Sequence, residues 1–174
     1  MKVFYIDIDE FKTKADTTVL KSYADKEFKT EKRFLEHAMG RYLVKSVAKQ
    51  FFGLTDTEII TDKKGKPYLK NSDLHFSISH SNNILIACFD NYPCGIDIEQ
   101  IKKRNFDRFS EYYGEEFKGM YDFYKFWTLK EASYKLNETP VGVSSEIFQG
   151  KYYLTIVSAN ELKTNIKPEK YNWN

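Results

Sequence analysis

Alternating and helically spaced apolar positions divide the chain into elements before any chemistry is considered. Residues 2–8 (KVFYIDI) alternate apolar and polar and predict a first strand. Over residues 31–52, Leu35, Ala38, Met39, Tyr42, Leu43, Val47 and Phe51 recur at helical spacing. They predict a long amphipathic helix whose Lys32, Arg33, Arg41, Lys45 and Lys49 fall largely on other faces, with Gly53 as its stop. Three runs, LHFSIS (74–79), ILIACF (84–89) and CGIDIE (94–99), are separated by the short polar turns HSNN and DNYP and read as a meander. A charged linker, QIKKRN (100–105), precedes a short helix over 106–113 and a longer one over 121–137. The stretch 148–158 returns to strand character. The order β-α-βββ-α-β defines an α+β protein with helices against a largely antiparallel sheet.

Composition narrows the function classes. In 174 residues, 41% apolar content is enough for one sizeable core or two small fused ones. A formal net charge of +2 is not that of a nucleic-acid-binding polycation, so no nucleic-acid partner is expected. No apolar run approaches the roughly 18 residues of a membrane span, so no membrane association is expected. The N-terminus carries acids early and reads as a strand, not a secretory signal. Cys88 and Cys94 lie in or beside strand patterns without metal-site spacing, which argues for a reducing, cytoplasmic setting.

The chemistry concentrates in three stretches. In GIDIE (95–99), Asp97 and Glu99 share one face of a strand while Ile96 and Ile98 face the core. Two unit charges about 5 Å apart repel by about 3 kcal/mol at an effective dielectric of ~20. Either that face is wet or a cation lies against it, and an all-oxygen pair suits magnesium or manganese better than zinc. In FWTLKEASYKL (126–136), Trp127, Glu131, Tyr134 and Lys135 share one helical face. Glu131 and Lys135 form an ordinary i, i+4 pair, or Glu131 is a third carboxylate beside the first two. In SISHS (77–81), Ser79 and His80 end a strand just downstream of the basic turn Lys63, Lys64, Lys66. That places a possible phosphate contact where a solvated loop is the plainer reading.

Taken together, these stretches resemble the 4′-phosphopantetheinyl transferases, in particular the type fused from two similar halves. The resemblance is carried by Gly65-Lys66-Pro67, Phe76-Ser77-Ile78-Ser79-His80-Ser81, Gly95-Ile96-Asp97-Ile98-Glu99 and Trp127-Thr128-Leu129-Lys130-Glu131-Ala132-Ser133-Tyr134-Lys135. It implies two similar α+β halves in a pseudo-twofold arrangement, near residues 1–90 and 91–174, with long helices on antiparallel sheets. It implies transfer of phosphopantetheine from coenzyme A to a serine of an apo acyl or peptidyl carrier protein, with release of 3′,5′-ADP. Magnesium, with manganese as a substitute, would be held by Asp97, Glu99 and Glu131. Glu131 would take the serine proton, and Lys135 would hold the leaving phosphate. Lys66, Ser79, His80, Lys130, Lys135 and an arginine of the first long helix would bind coenzyme A. Arg33 is the first candidate, with Arg41 and His37 competing. Trp127 is expected to pack between helix and strand.

A basic, aromatic stretch over 102–124 is the expected carrier surface, with Arg108, Phe117 and Tyr121 at its centre and Lys102, Lys103, Arg104, Lys118 and an exposed Tyr124 around them. The expected state is a monomer. Two other readings account for fewer of these residues: another magnesium-dependent, diphosphate-cleaving enzyme, and a non-catalytic carrier-binding relative.

Overall fold

The computed structural model describes residues 1–163 and 166–173. Among these, two sheets lie face to face and each carries a long helix on its outer side. The first sheet is built from β1 (Lys2–Asp7), β4 (His75–Ser81), β5 (Ile84–Asp90) and β9 (Glu169–Lys170), in the order β4-β5-β1-β9. The second contains β6 (Cys94–Gln100), β7 (Gly142–Phe148) and β8 (Tyr152–Ser158), in the order β6-β8-β7. A small ladder of β2 (Ile59–Thr61) and β3 (Pro67–Leu69) stands apart. The helices are α1 (Ile8–Lys14), α2 (Glu31–Phe52), α3 (Asp107–Tyr113) and α4 (Met120–Leu136), with a 3₁₀ turn over Thr17–Tyr23. The class is α+β.

The expected meander is corrected. β4 and β5 pair as a hairpin, with Ser81 opposite Ile84, but β6 does not continue it. The other edge of β5 is already taken by β1, so β6 has no edge to join and begins the second sheet against β8. The single strand read over 148–158 is a hairpin, β7 and β8, turned at Gln149 and Gly150. Both have positive φ (50° and 68°) and form the centre of a tight turn in a three-residue loop, closed by the Lys151 N–H donating to the Phe148 carbonyl. At the N-terminus the alternation stops at Asp7, whose carboxylate accepts the backbone N–H groups of Asp9 and Glu10 and starts α1.

Strand periodicity sorts the core. Leu85, Ala87 and Phe89 of β5 face α2, packing on Met39, Leu43 and Val47. Ile84, Ile86 and Cys88 face the second sheet, packing on Ile96, Ile98, Leu154 and Ile156. β5 is therefore buried on both faces, which is why ILIACF reads as a continuous apolar run. On the far side of the second sheet, α4 rests Ala132 and Leu136 on Val157. The approach is close. A Cβ placed on Gly95 would lie 2.1 Å from the carbonyl oxygen of Ala132, so only glycine fits there. Leu162 and Ile166 still pack on the core between the sheets, and β9 pairs in parallel with β1. Tyr171 buries itself against Phe4 and Tyr42.

Candidate active site

The free edge of β6 lies against the face of β4, and serine side chains join them. Ser77, Ser79 and Ser81 alternate with Ile78 and His80, so all three hydroxyls point to one face. They accept the backbone N–H groups of Ile96, Ile98 and Gln100 at 3.2, 3.3 and 2.9 Å. Two of them also donate: Ser79 to Asp97 Oδ1 at 2.8 Å, and Ser81 to Glu99 Oε2 at 3.1 Å. The first sheet thus holds both carboxylates of GIDIE.

Asp97 is buried, with 5% of its surface exposed. A carboxylate so placed requires a countercharge. Lys135 supplies it: the ammonium lies 2.7 Å from Asp97 Oδ1 and also donates to the Ile96 carbonyl at 3.0 Å. The close seat of α4 on Gly95 is what brings Lys135 within reach. Asp97 Oδ2 is buried and has no hydrogen-bond partner among the described residues. Glu99 is half-buried. Burial first, and the Asp97 charge second, push its carboxyl above the usual range, against hydrogen bonds from Ser81 and Trp127 and the charge of Arg104. Glu131 is half-buried on α4, on the helical face of Lys135.

An oxygen-preferring cation fits part of this arrangement. The orphaned Asp97 Oδ2 and the mutually repelling Asp97–Glu99 pair are the donor set a hard cation satisfies. Yet among the described residues no three His, Cys, Asp or Glu side chains converge as a ligand group. Lys135 provides the positive charge at Asp97.

Two concavities lie beside the elements that hold the carboxylates, one reached by Lys135 and Ser77, the other by His80. A cavity of about 410 Å³ between the sheets' outer elements is lined by Lys64, Lys66, Ser77, Tyr134, Lys135 and Asn137. The basic turn closes one side of it by docking on the end of α4. Lys64 donates to Asn137 Oδ1 at 2.8 Å, and Lys66 reaches the Leu136 carbonyl at 3.4 Å. A wider cleft of about 1010 Å³ shares Gly65, Pro67, Phe76 and Ile78 with this cavity and runs along α2 past Lys26, Lys29, Arg33, His37, Arg41 and His80.

The candidate residues divide accordingly. Lys66 and Lys135 share the smaller cavity; Arg33 and His80 share the cleft. Arg41 and His37 also line the cleft, but Asp25 holds both, at 3.0 and 2.8 Å, and Arg41 also donates to the Ile59 carbonyl. Arg33 has no carboxylate partner among the described residues, which leaves its guanidinium open to a ligand. The Ser79 hydroxyl is buried, with its one proton on Asp97. Lys130 turns away, its ammonium 4.6 Å from the centre of the Tyr113 ring.

Trp127 packs with Phe109, Tyr113 and Phe123, between α4 and α3. Phe117 joins this aromatic nest through Phe123 and Phe126, whereas Arg108 and Tyr121 are exposed. Tyr124, expected at the surface, is fully buried. Its hydroxyl accepts from the Lys102 N–H and donates to the Lys102 carbonyl, which satisfies the polar end of a core ring.

Sequence reasoning passed over Asp25, Glu36 and Ser81. Glu36 lies 3.5 Å from the His80 ring. Only Ser81 had a visible signal, the Ser-x-Ser-x-Ser alternation along one strand. Asp25 and Glu36 become site residues through long-range packing.

Known proteins place the chain. The 4′-phosphopantetheinyl transferase Sfp of Bacillus subtilis (strain 168) is 30% identical over 155 residues, covering 78% of this chain and 69% of Sfp. The 4′-phosphopantetheinyl transferase psf-1 of Bacillus pumilus is 28% identical over 167 residues, 83% of this chain and 71% of that protein. One named gsp, from Aneurinibacillus migulanus, is 30% identical over 109 residues, 56% of this chain and 46% of its own length. No protein-family model matches the chain. The chain is a member of the 4′-phosphopantetheinyl transferase family, of the Sfp type, and is a transferase.

Proposed function

We propose that this transferase moves the 4′-phosphopantetheine group of coenzyme A onto a serine of an apo acyl or peptidyl carrier protein, releasing 3′,5′-ADP. The observation that carries the reading is a cavity lined by three lysines, Lys64, Lys66 and Lys135, the last of them paired with the buried Asp97. Cations gathered around one cavity suit a diphosphate bound within it. The continuous cleft along α2, with Arg33 and His80, suits the nucleotide end.

The carrier serine oxygen attacks the phosphorus bearing the pantetheine. The bond from that phosphorus to the oxygen bridging to the nucleotide breaks, and the bridging oxygen leaves on 3′,5′-ADP. Glu131, on the same helical face as Lys135, accepts the serine proton directly or through water. Lys66 and Lys135 offset the charge that accumulates on the departing phosphate. Ser79 and Ser81 hold Asp97 and Glu99 in place.

Asp97, Glu99 and Glu131 are the residues that would hold magnesium, with manganese as a substitute; Asp97 and Glu99 already stand together, whereas Glu131 does not converge with them in this structure. When bound, the ion would neutralise the diphosphate and polarise its oxygens. Asp97 Oδ2, buried without a partner, supports that assignment.

The two halves, near 1–90 and 91–174, are read as pseudo-twofold relatives. What supports this is strand order: β4-β5-β1 in one sheet matches β7-β8-β6 in the other, and in each half a long helix intervenes between first strand and hairpin. The tail is the exception, since β9 pairs back with β1. The carrier is assigned to the face formed by α3 and the start of α4, where Arg108, Lys103 and Tyr121 are exposed beside Phe117. Among the described residues no helix is long and apolar enough to cross a membrane. A monomer in the cytoplasm is the setting this reading assumes.

Mass spectrometry of a panel of purified apo carriers, incubated with the enzyme, magnesium and coenzyme A, tests the proposal. Addition of one phosphopantetheine to a carrier serine is expected. Cleavage of coenzyme A with no carrier modified would indicate a diphosphate-cleaving enzyme instead, and neither event would indicate a binding relative.

A further inference from the structure

We infer that the β4 hydroxyls are the joint between the two sheets, and that Ser81 is a positioning residue for the Glu99 carboxylate. The joint is regular. Ser77 meets the amide of Ile96, Ser79 that of Ile98 and Ser81 that of Gln100, so the two strands run parallel with a constant offset of 19 residues. β6 is an edge strand, with β8 on one side only. Its unpaired N–H groups would otherwise be open to another strand or stranded in the interior. Side-chain oxygens from the first sheet stand in for the carbonyls of a missing neighbour.

Positioning follows from the proton count of a hydroxyl, which has one donor and two acceptor sites. Once Ser81 accepts from the Gln100 amide, its orientation is constrained and its single proton falls on Glu99 Oε2, 3.1 Å away. Ser79 treats Asp97 in the same way, but Lys135 also grips Asp97. Glu99 has no ion pair among the described residues. It is more exposed than Asp97 and carries one more rotatable bond. Trp127 is its other hydrogen-bond donor and no lysine among the described residues grips it, so its aim depends on Ser81 more than that of Asp97 depends on Ser79.

The part concerning the metal rests on the functional reading above; the part concerning the joint does not. The test compares Ser81→Ala with Ser81→Thr, which keeps the hydroxyl. Amide exchange at Gln100 is measured first. It is expected to quicken about tenfold in Ser81→Ala, the equilibrium equivalent of one hydrogen bond, and to recover in Ser81→Thr. Manganese binding, followed by electron paramagnetic resonance, is measured second. Affinity is expected to fall roughly five- to tenfold in Ser81→Ala and to recover in Ser81→Thr, because an oriented ligand binds with less ordering cost. In a Glu99→Gln background, Ser81→Ala is expected to change manganese affinity no further.

Unchanged exchange at Gln100 in folded Ser81→Ala overturns the joint. Unchanged manganese affinity, or an equal loss in the Glu99→Gln background, overturns the positioning role. A wild-type enzyme that binds no manganese removes the metal reading and the positioning role with it, while the exchange result still decides the joint. A wild-type enzyme that binds manganese but modifies no carrier overturns only the transfer reading.

Discussion

Removing Lys135 while leaving Asp97 in place is the most informative single perturbation. At 2.7 Å the gross attraction between two unit charges is about 6 kcal/mol at an effective dielectric of ~20. Much of this offsets the cost of burying the carboxylate, whose side chain is 7% exposed, against 28% for the lysine. Lys135→Ala would leave Asp97 with one hydrogen bond, from Ser79, and with Glu99 on the same face. Breaking a buried pair from one side costs about 3–5 kcal/mol. Discounting for the partly exposed lysine gives a loss of about 2–3 kcal/mol, or roughly 5–10 °C in Tm for a chain of this size. Asp97→Asn should cost less, because a lysine freed of its partner has solvent within reach.

Urea unfolding measures both variants, with and without magnesium. Magnesium at a hundredfold excess over its dissociation constant should return about 2.7 kcal/mol to Lys135→Ala if the carboxylates bind the ion. Equal stability of Lys135→Ala and wild type would refute the argument that this pair answers the buried carboxylate's charge. A magnesium effect that persisted undiminished in Lys135→Ala/Asp97→Asn would refute the assignment of the ion to Asp97.

Three further outcomes are expected. Glu131→Ala should reduce turnover by at least ~10²-fold without loss of fold, as read by single-turnover carrier modification and circular dichroism; near-normal turnover removes Glu131 as the base. Burial, opposed by Asp25, holds the His37 imidazole below its ordinary value of 6.5. The unfolded chain therefore takes up a proton first, and stability falls as pH drops from about 6.5. His37→Gln should flatten that slope in urea titrations at pH 5–7, and an unchanged slope assigns it elsewhere. Charge reversal at Lys103 and Arg108 should slow association with an acidic carrier and weaken its salt dependence, measured as kcat/KM at limiting carrier; if neither changes, the carrier docks on another face.

What could be read in the sequence was what short-range periodicity encodes. α2 begins at Glu31 and ends at Phe52, as its apolar spacing predicts, and α4 falls within a residue of its expected span. The alternation in GIDIE placed Ile96 and Ile98 in the core and the two carboxylates together on the opposite face. Partnership between strands was not encoded locally. LHFSIS, ILIACF and CGIDIE look like one meander, because nothing in them shows that β1, some eighty residues earlier, occupies the edge β6 would need. β9 escaped notice for a related reason: two residues of pairing leave no periodic trace. Lys130 and Lys135 are five residues apart, about 140° around the helix, so one wheel already separates them: Lys135 reaches Asp97 while Lys130 lies over the Tyr113 ring of α3.

Gly95 sets a gauge for the whole site. With the Ala132 carbonyl 2.1 Å from where a methyl group would stand, strand and helix rest main chain on main chain. The separation of the two backbones that carry Asp97 and Lys135 is therefore set by main-chain contact, and the lysine's stem spans the rest. Gly95→Ala would act as a shim. It would lift α4 away from β6, widen the distance between acid and amine, and uncouple strand from helix while leaving every functional group chemically intact.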